Sequence, residues 1–94
     1  MTVRMEVFSG EPPCAACQKV LALADDYAAK YHDELEVIKH IGQSAMTKFN
    51  EYGLWCTPAI VIDETIRIEG VCPSKETLDT ALKEVGLQLT NTDL

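Results

Sequence analysis

The hydrophobic spacing of this chain changes period repeatedly within 94 residues, and that alternation restricts its fold more than any other feature. Val3 to Phe8 is a run of β-formers too short for a helix, and Ser9-Gly10-Glu11-Pro12-Pro13 ends it with strong loop punctuation. From Cys14 the period becomes helical. Cys17, Val20, Leu21, Ala24 and Ala28 recur at three- and four-residue spacing, with Gln18, Lys19, Asp25, Asp26 and Lys30 on other faces. The spacing predicts an amphipathic helix to about Tyr31.

Leu35 to Ile41 returns to strand composition, closed by Gly42. Ala45, Phe49 and Tyr52 fit a shorter helix over 44–52, with Gly53 just past its end. Pro58 to Ile62 and Thr65 to Glu69 flank Asp63-Glu64, which predicts a hairpin, although Asp-Glu is not a strong turn pair. Ser74 is a good N-cap for a last helix whose stripe is Leu78, Ala81, Leu82 and Val85, stopped by Gly86. The order is β-α-β-α-β-β-α, an α/β chain with a four-stranded mixed sheet and helices on both faces. The early alternation implies parallel strands joined by helical crossovers, with the hairpin adding an antiparallel strand at one edge. Residues 1–89 are expected to form one domain and 90–94 a tail.

At 47% hydrophobic and 24% charged residues, the composition is that of a chain that folds rather than one that stays disordered. The net charge is −7 and the basic residues are scattered, which leaves no footprint for nucleic acid or anionic lipid. No segment approaches the roughly 20 apolar residues of a membrane span, and Met1 to Glu6 lacks the long apolar run of an export signal. The default expectation is a cytoplasmic monomer without nucleic-acid or membrane partners. In that reducing compartment four cysteines point to redox or metal chemistry rather than a disulfide framework.

Cys14-Ala15-Ala16-Cys17 lies where the first strand hands over to the first helix, and that context makes a common spacing informative. A cysteine at a helix start meets free backbone N–H groups and the positive end of the macrodipole, which favour thiolate over thiol. Cys14 is therefore the expected nucleophile. Cys17, almost one turn on, is the expected resolving thiol and the more buried of the two. Pro12-Pro13 discourage upstream continuation of the helix and keep Cys14 at its exposed start. A second chemical possibility is a thiolate metal-binding or metal-delivery module using Cys14, Cys17, Cys56 and Cys72, although the second pair is widely spaced.

Pro13-Cys14-Ala15-Ala16-Cys17, Thr57-Pro58-Ala59-Ile60-Val61-Ile62 and Gly70 before the last helix together resemble the thioredoxin/glutaredoxin superfamily, especially its minimal redox-active disulfide proteins. The resemblance spans about residues 3–86. It implies a thiol–disulfide oxidoreductase with Cys14 attacking and Cys17 resolving, and with Pro58 a cis-proline packed beside them. Thr57, Gly70 and Pro13 would border the substrate groove. The expected partners are a disulfide-containing protein or small molecule and a reductase; no cofactor beyond the Cys14–Cys17 disulfide is expected. Two departures stand out. Ala15-Ala16 separates the cysteines, and Phe8 occupies the position where thioredoxins keep a buried acid.

Cys56 and Cys72 flank Thr57-Pro58 and Gly70, which makes them candidate modulators of the redox site, against the alternative that they only fill space. Trp55 leads into Pro58 and is a candidate for lining the groove. His32 and His40 are expected at the surface or in packing. Tyr27, Tyr31, Phe49 and Tyr52 fall at helical spacings and are expected as core or boundary aromatics. The acidic pairs Asp25-Asp26, Asp33-Glu34 and Asp63-Glu64 are expected to be solvated.

Overall fold

A computed structural model describes residues 2–87. The tail expected over 90–94 lies outside them. The strands are β1 (Val3–Ser9), β2 (Leu35–Ile41), β3 (Ala59–Ile62) and β4 (Ile66–Glu69). The helices are α1 (Ala15–Lys30), α2 (Met46–Glu51) and α3 (Lys75–Glu84), and a 3-10 turn over Gly42–Ala45 leads into α2. The sheet order is β2-β1-β3-β4. The element order and the four-stranded mixed sheet are those read from the sequence.

The strand directions differ from the expectation. Only β1 and β2 are parallel, whereas β3 runs antiparallel to β1, and β4 antiparallel to β3. The register supplies the reason. Ser9 pairs with Ile41 at the end of β2, and Phe8 with Ala59 at the start of β3, so β2 ends and β3 begins at the same end of the sheet. The six-residue α2 crosses β1 there instead of running back along the strands, and the chain re-enters in the opposite direction.

Alternation along β1 divides the core in two. Val3, Met5 and Val7 pack with Val20, Leu23, Ala24 and Tyr27 of α1 and Leu78, Ala81 and Leu82 of α3. Phe8 packs on the other face with Ala45, Leu54, Ala59 and Val61, with Phe49 and Tyr52 alongside. The buried stripe of α1 is Cys17, Val20, Leu23, Ala24 and Tyr27. It is rotated from the expected one, in which Leu21 and Ala28 stood in place of Leu23 and Tyr27. Contact with α3 turns that face inward: the Tyr27 hydroxyl donates to Asp79 Oδ1 at 2.5 Å.

The α2 side also buries a carboxylate. Glu6 is 2% exposed; Tyr52 Oη donates to its Oε2 at 2.5 Å and His40 Nε2 lies 2.9 Å from its Oε1. Burial pushes Glu6 up, but the hydrogen bonds of Tyr52 and His40 and the nearby Lys48 ammonium outweigh it and hold the carboxyl below its usual range. Burial and the Glu6 carboxylate together push Tyr52 up to about 12. His40 also stacks on Phe8, with ring centroids 4.6 Å apart.

The hairpin has an unusual tip. Asp63 and Glu64 have φ of +49° and +63°, a region that costs an L-residue about 1–2 kcal/mol. Asp63 is retained there by two bonds to Arg4: its N–H donates to Arg4 O, and its Oδ1 accepts from Arg4 N–H, both at 2.8 Å. Glu64 makes a single exposed ion pair with Arg4, at 3.3 Å. Glu64→Gly should therefore stabilise the fold, by about 0.5–1 kcal/mol. Tyr52→Phe, which leaves Glu6 short of a donor, should destabilise it by about 1–3 kcal/mol. Denaturant unfolding of the two variants beside the parent checks both signs.

Candidate active site

The chain leaves the sheet at Ser9 and enters α1 at Ala15. Cys14 is the N-cap residue, with extended backbone at φ −72° and ψ 176°. Its sulfur takes the role more often filled by a serine or aspartate oxygen, accepting from the Cys17 N–H at 3.3 Å. The first turn of α1 carries no acidic residue, so no first-turn carboxylate offsets the positive end of its dipole.

Cys14 is exposed, whereas Cys17 lies on the buried stripe at 1% exposure. Their sulfurs are 3.1 Å apart in the dithiol form. Burial pushes the Cys17 thiol up, but the Cys14 thiol, the Gly10 and Cys14 backbones and the Ser9 hydroxyl outweigh burial and bring it down to about 7. These donors are all neutral. Of the two sulfurs, only that of Cys14 is exposed to an incoming substrate.

A groove of about 750 Å³ opens at this end of the sheet, lined by Ser9 at the end of β1, Gly10 and Glu11 of the β1–α1 connection, Met46 and Phe49 of α2, and Trp55, Cys56 and Thr57 among others. Trp55 is 88% exposed, and its backbone N–H donates to Glu69 Oε1 at 2.6 Å. Of the residues expected to border substrate, Thr57 lines this groove. Pro58 is buried, follows a cis bond, and accepts the Gly70 N–H through its carbonyl at 2.8 Å. Gly70 has φ +81°, and a Cβ there would stand 3.0 Å from Cys56 Sγ, so a side chain is doubly unfavourable. Pro13 precedes the N-cap, half-buried, and its carbonyl accepts from Gln18 Nε2 at 3.3 Å.

The other two cysteines occupy different surroundings. Cys56 is exposed in the groove, against Gly70. Cys72 is half-buried against the α1–α3 core, with its thiol toward the Pro73 carbonyl. The four-thiolate set weighed from the sequence is not assembled: among the described residues, no three His, Cys, Asp or Glu side chains group as metal ligands. Sequence reasoning missed the donors supplied by Ser9 and Gly10, which it took for loop punctuation. The available signal was alternation, because Ser9 continues the inward phase of Val3, Met5 and Val7 by one more residue.

Comparison with known proteins bears on the family and the fold. A thioredoxin-domain family model matches residues 3–83. A probable thioredoxin of Methanothermobacter thermautotrophicus is 33% identical over 84 residues, covering 89% of this chain and 96% of that protein. Its counterpart in Methanothermobacter marburgensis is 31% identical over the same length and coverage. The crystal structure of Chlamydomonas reinhardtii thioredoxin f2 superposes with a TM-score of 0.71 over 90% of this chain and 80% of that one. At 9% identity that likeness speaks for the fold.

Ultraviolet absorbance of thiolate in the reduced protein should rise in a first transition centred near pH 7; a first transition at about 8.5, the ordinary thiol value, would contradict the site described. The stability consequence has a definite sign. Because folding lowers the Cys17 value from 9.0 to about 7, its ionisation favours the folded dithiol fully above about pH 9, and the contribution is lost as pH falls through about 7. The stability difference between the reduced parent and Cys17→Ala should accordingly shrink from pH 9 to pH 6.

Proposed function

The chain belongs to the thioredoxin-domain family, and from that premise we propose that it exchanges electrons with disulfide-bonded proteins or small molecules through Cys14 and Cys17. The family is one of thiol–disulfide oxidoreductases. The observation that carries the assignment to this pair is an exposed sulfur capping α1, 3.1 Å from a buried one.

The Cys14 thiolate attacks one sulfur of a substrate disulfide. A Cys14–substrate bond forms, the substrate S–S bond breaks, and its electron pair leaves on the departing sulfur, which takes up a proton. Cys17 then loses its proton and attacks Cys14. The substrate sulfur departs as a thiol and the Cys14–Cys17 disulfide remains. Two electrons have passed to the substrate, and a dithiol reductant or a dedicated reductase returns them. The groove lined by Thr57, Cys56 and Trp55 is where an extended substrate segment would lie, and the small side chains of Ala15 and Ala16 leave the approach to Cys14 open.

Insulin reduction driven by dithiothreitol tests the assignment. The parent should accelerate it, Cys14→Ser should abolish the acceleration, and Cys17→Ser should accumulate a mixed disulfide on Cys14 detectable by mass. Retention of turnover in Cys14→Ser, or failure of the parent pair to oxidise under mild conditions, would refute it.

A further inference from the structure

Among the described residues that line the groove, Glu11 alone carries a formal charge at neutral pH, and no Lys, Arg or His stands with it. Its side chain is placed by the fold. A Cβ at Gly42 would stand 3.0 Å from Glu11 Oε1 and 3.1 Å from Glu11 Cβ, so the carboxylate lies across the bare backbone where β2 passes into the 3-10 turn. Glu11 is exposed, and among the described residues no cation pairs with it. An exposed carboxylate is ordinarily just solvated; what sets this one apart is the rest of the groove.

Trp55 supplies a second, independent attraction for a cation. Its side chain lines the same groove and is almost wholly exposed. Its backbone is anchored by Glu69, which is paired with Ala59 in the sheet, so the indole stands on a fixed support. The electron-rich face of an indole attracts an ammonium or guanidinium within about 6 Å of the ring centroid. Met46 and Phe49 add apolar surface on the α2 side, against which the methylene stem of a Lys or Arg can lie while its head remains among polar groups. Carboxylate, aromatic face and apolar wall are the three contacts that such a side chain uses.

We infer that the groove selects disulfides carried on basic peptide segments: a Lys or Arg near the substrate cysteine pairs its head with the Glu11 carboxylate and the Trp55 face, and lays its stem on Met46 and Phe49. The inference rests on the Cys14–Cys17 exchange proposed above and names the class of substrate it serves. Only Pro12 and Pro13 separate Glu11 from Cys14, so the Cα atoms of Glu11 and Cys14 lie no more than about 11 Å apart. That is within reach of a long side chain a few residues from the sulfur under attack. The net charge of −7 draws the same substrates in and repels acidic ones. The chemistry is that of the exchange: the dithiol passes two electrons and two protons to the peptide disulfide, which becomes two thiols, and the Cys14–Cys17 bond forms.

The test is oxidation of the reduced protein by symmetric disulfides of short capped peptides that differ only in carrying Lys, Gln or Glu on both sides of the cysteine. Alkylation after an acid quench gives the rates by mass, and each is divided by that of dithiothreitol with the same peptide to remove the peptides' own reactivity. In the parent the Lys peptide should react fastest and the Glu peptide slowest. The Lys-to-Gln ratio should fall about two- to fivefold in Glu11→Gln, as for an exposed ion pair, and by a similar factor in Trp55→Ala, as for an exposed cation–π contact. A ratio taken within each variant cancels any change in the reactivity of Cys14 itself. Asp33→Asn removes the same charge before β2, at the opposite end of the sheet, where Asp33 pairs with His32, and should keep the parental ratio. Equal rates for the three peptides, a parental ratio kept by either groove variant, or the same fall in Asp33→Asn overturns the selectivity and leaves the exchange standing. A parent that none of the three peptides oxidises overturns both.

Discussion

The double pairing of β1 holds the molecule together. It bonds to β2 on one edge and β3 on the other, and both of its faces are covered by helices. Because side chains alternate along a strand, a one-residue slip in this register would exchange the two faces entirely. Phe8 would then point at α1, and Ser9 into the core beneath α2. The same register brings the end of β1, the end of β2 and the start of β3 together, so Gly10, Gly42 and Thr57 meet around a single groove. The position of the reactive pair follows from strand pairing before any property of sulfur enters.

The sheet also separates two ways of accommodating a buried charge. On the α2 side a carboxylate is held by a phenol and an imidazole, with a lysine close by. On the α1 side a thiolate is met by neutral dipoles alone, those of a second thiol, two backbones and a hydroxyl. Neutral donors stabilise the ion without fixing a permanent counter-charge beside it, so the neutral disulfide can replace the thiolate without leaving a buried cation unpaired. That suits a site that alternates between charged and uncharged forms.

Much of this was legible in the sequence. The periodicity of the segments gave the element order, the strand-to-helix position of Cys14 and Cys17 gave the exposed and buried sulfurs, and Ser74 caps α3 as read, accepting the Thr77 N–H at 3.1 Å. What escaped depended on distant neighbours. Leu23 and Tyr27 face inward because α3 packs beside α1, a contact that the spacing within α1 does not encode. β3 reverses because α2 is short and crosses the sheet end, whereas the alternation alone reads as a parallel crossover. The sequence assigned Glu6 no role, because Tyr52 and His40, which cover it in the fold, are separated from it by 46 and 34 positions. A buried polar cluster is a property of three-dimensional neighbours and leaves little trace in local pattern.

The capping contact of Cys14 ties the secondary structure of the protein to its oxidation state. A thiolate is a strong acceptor for the Cys17 N–H, while a sulfur committed to a disulfide bond is a poor one, so the first turn of α1 is best capped when the protein is reduced. Linkage makes the relation reciprocal. Whatever tightens that turn favours electron retention, and whatever frays it favours their release, so a partner that only presses on the start of the helix, without touching sulfur, acquires leverage over the redox equilibrium.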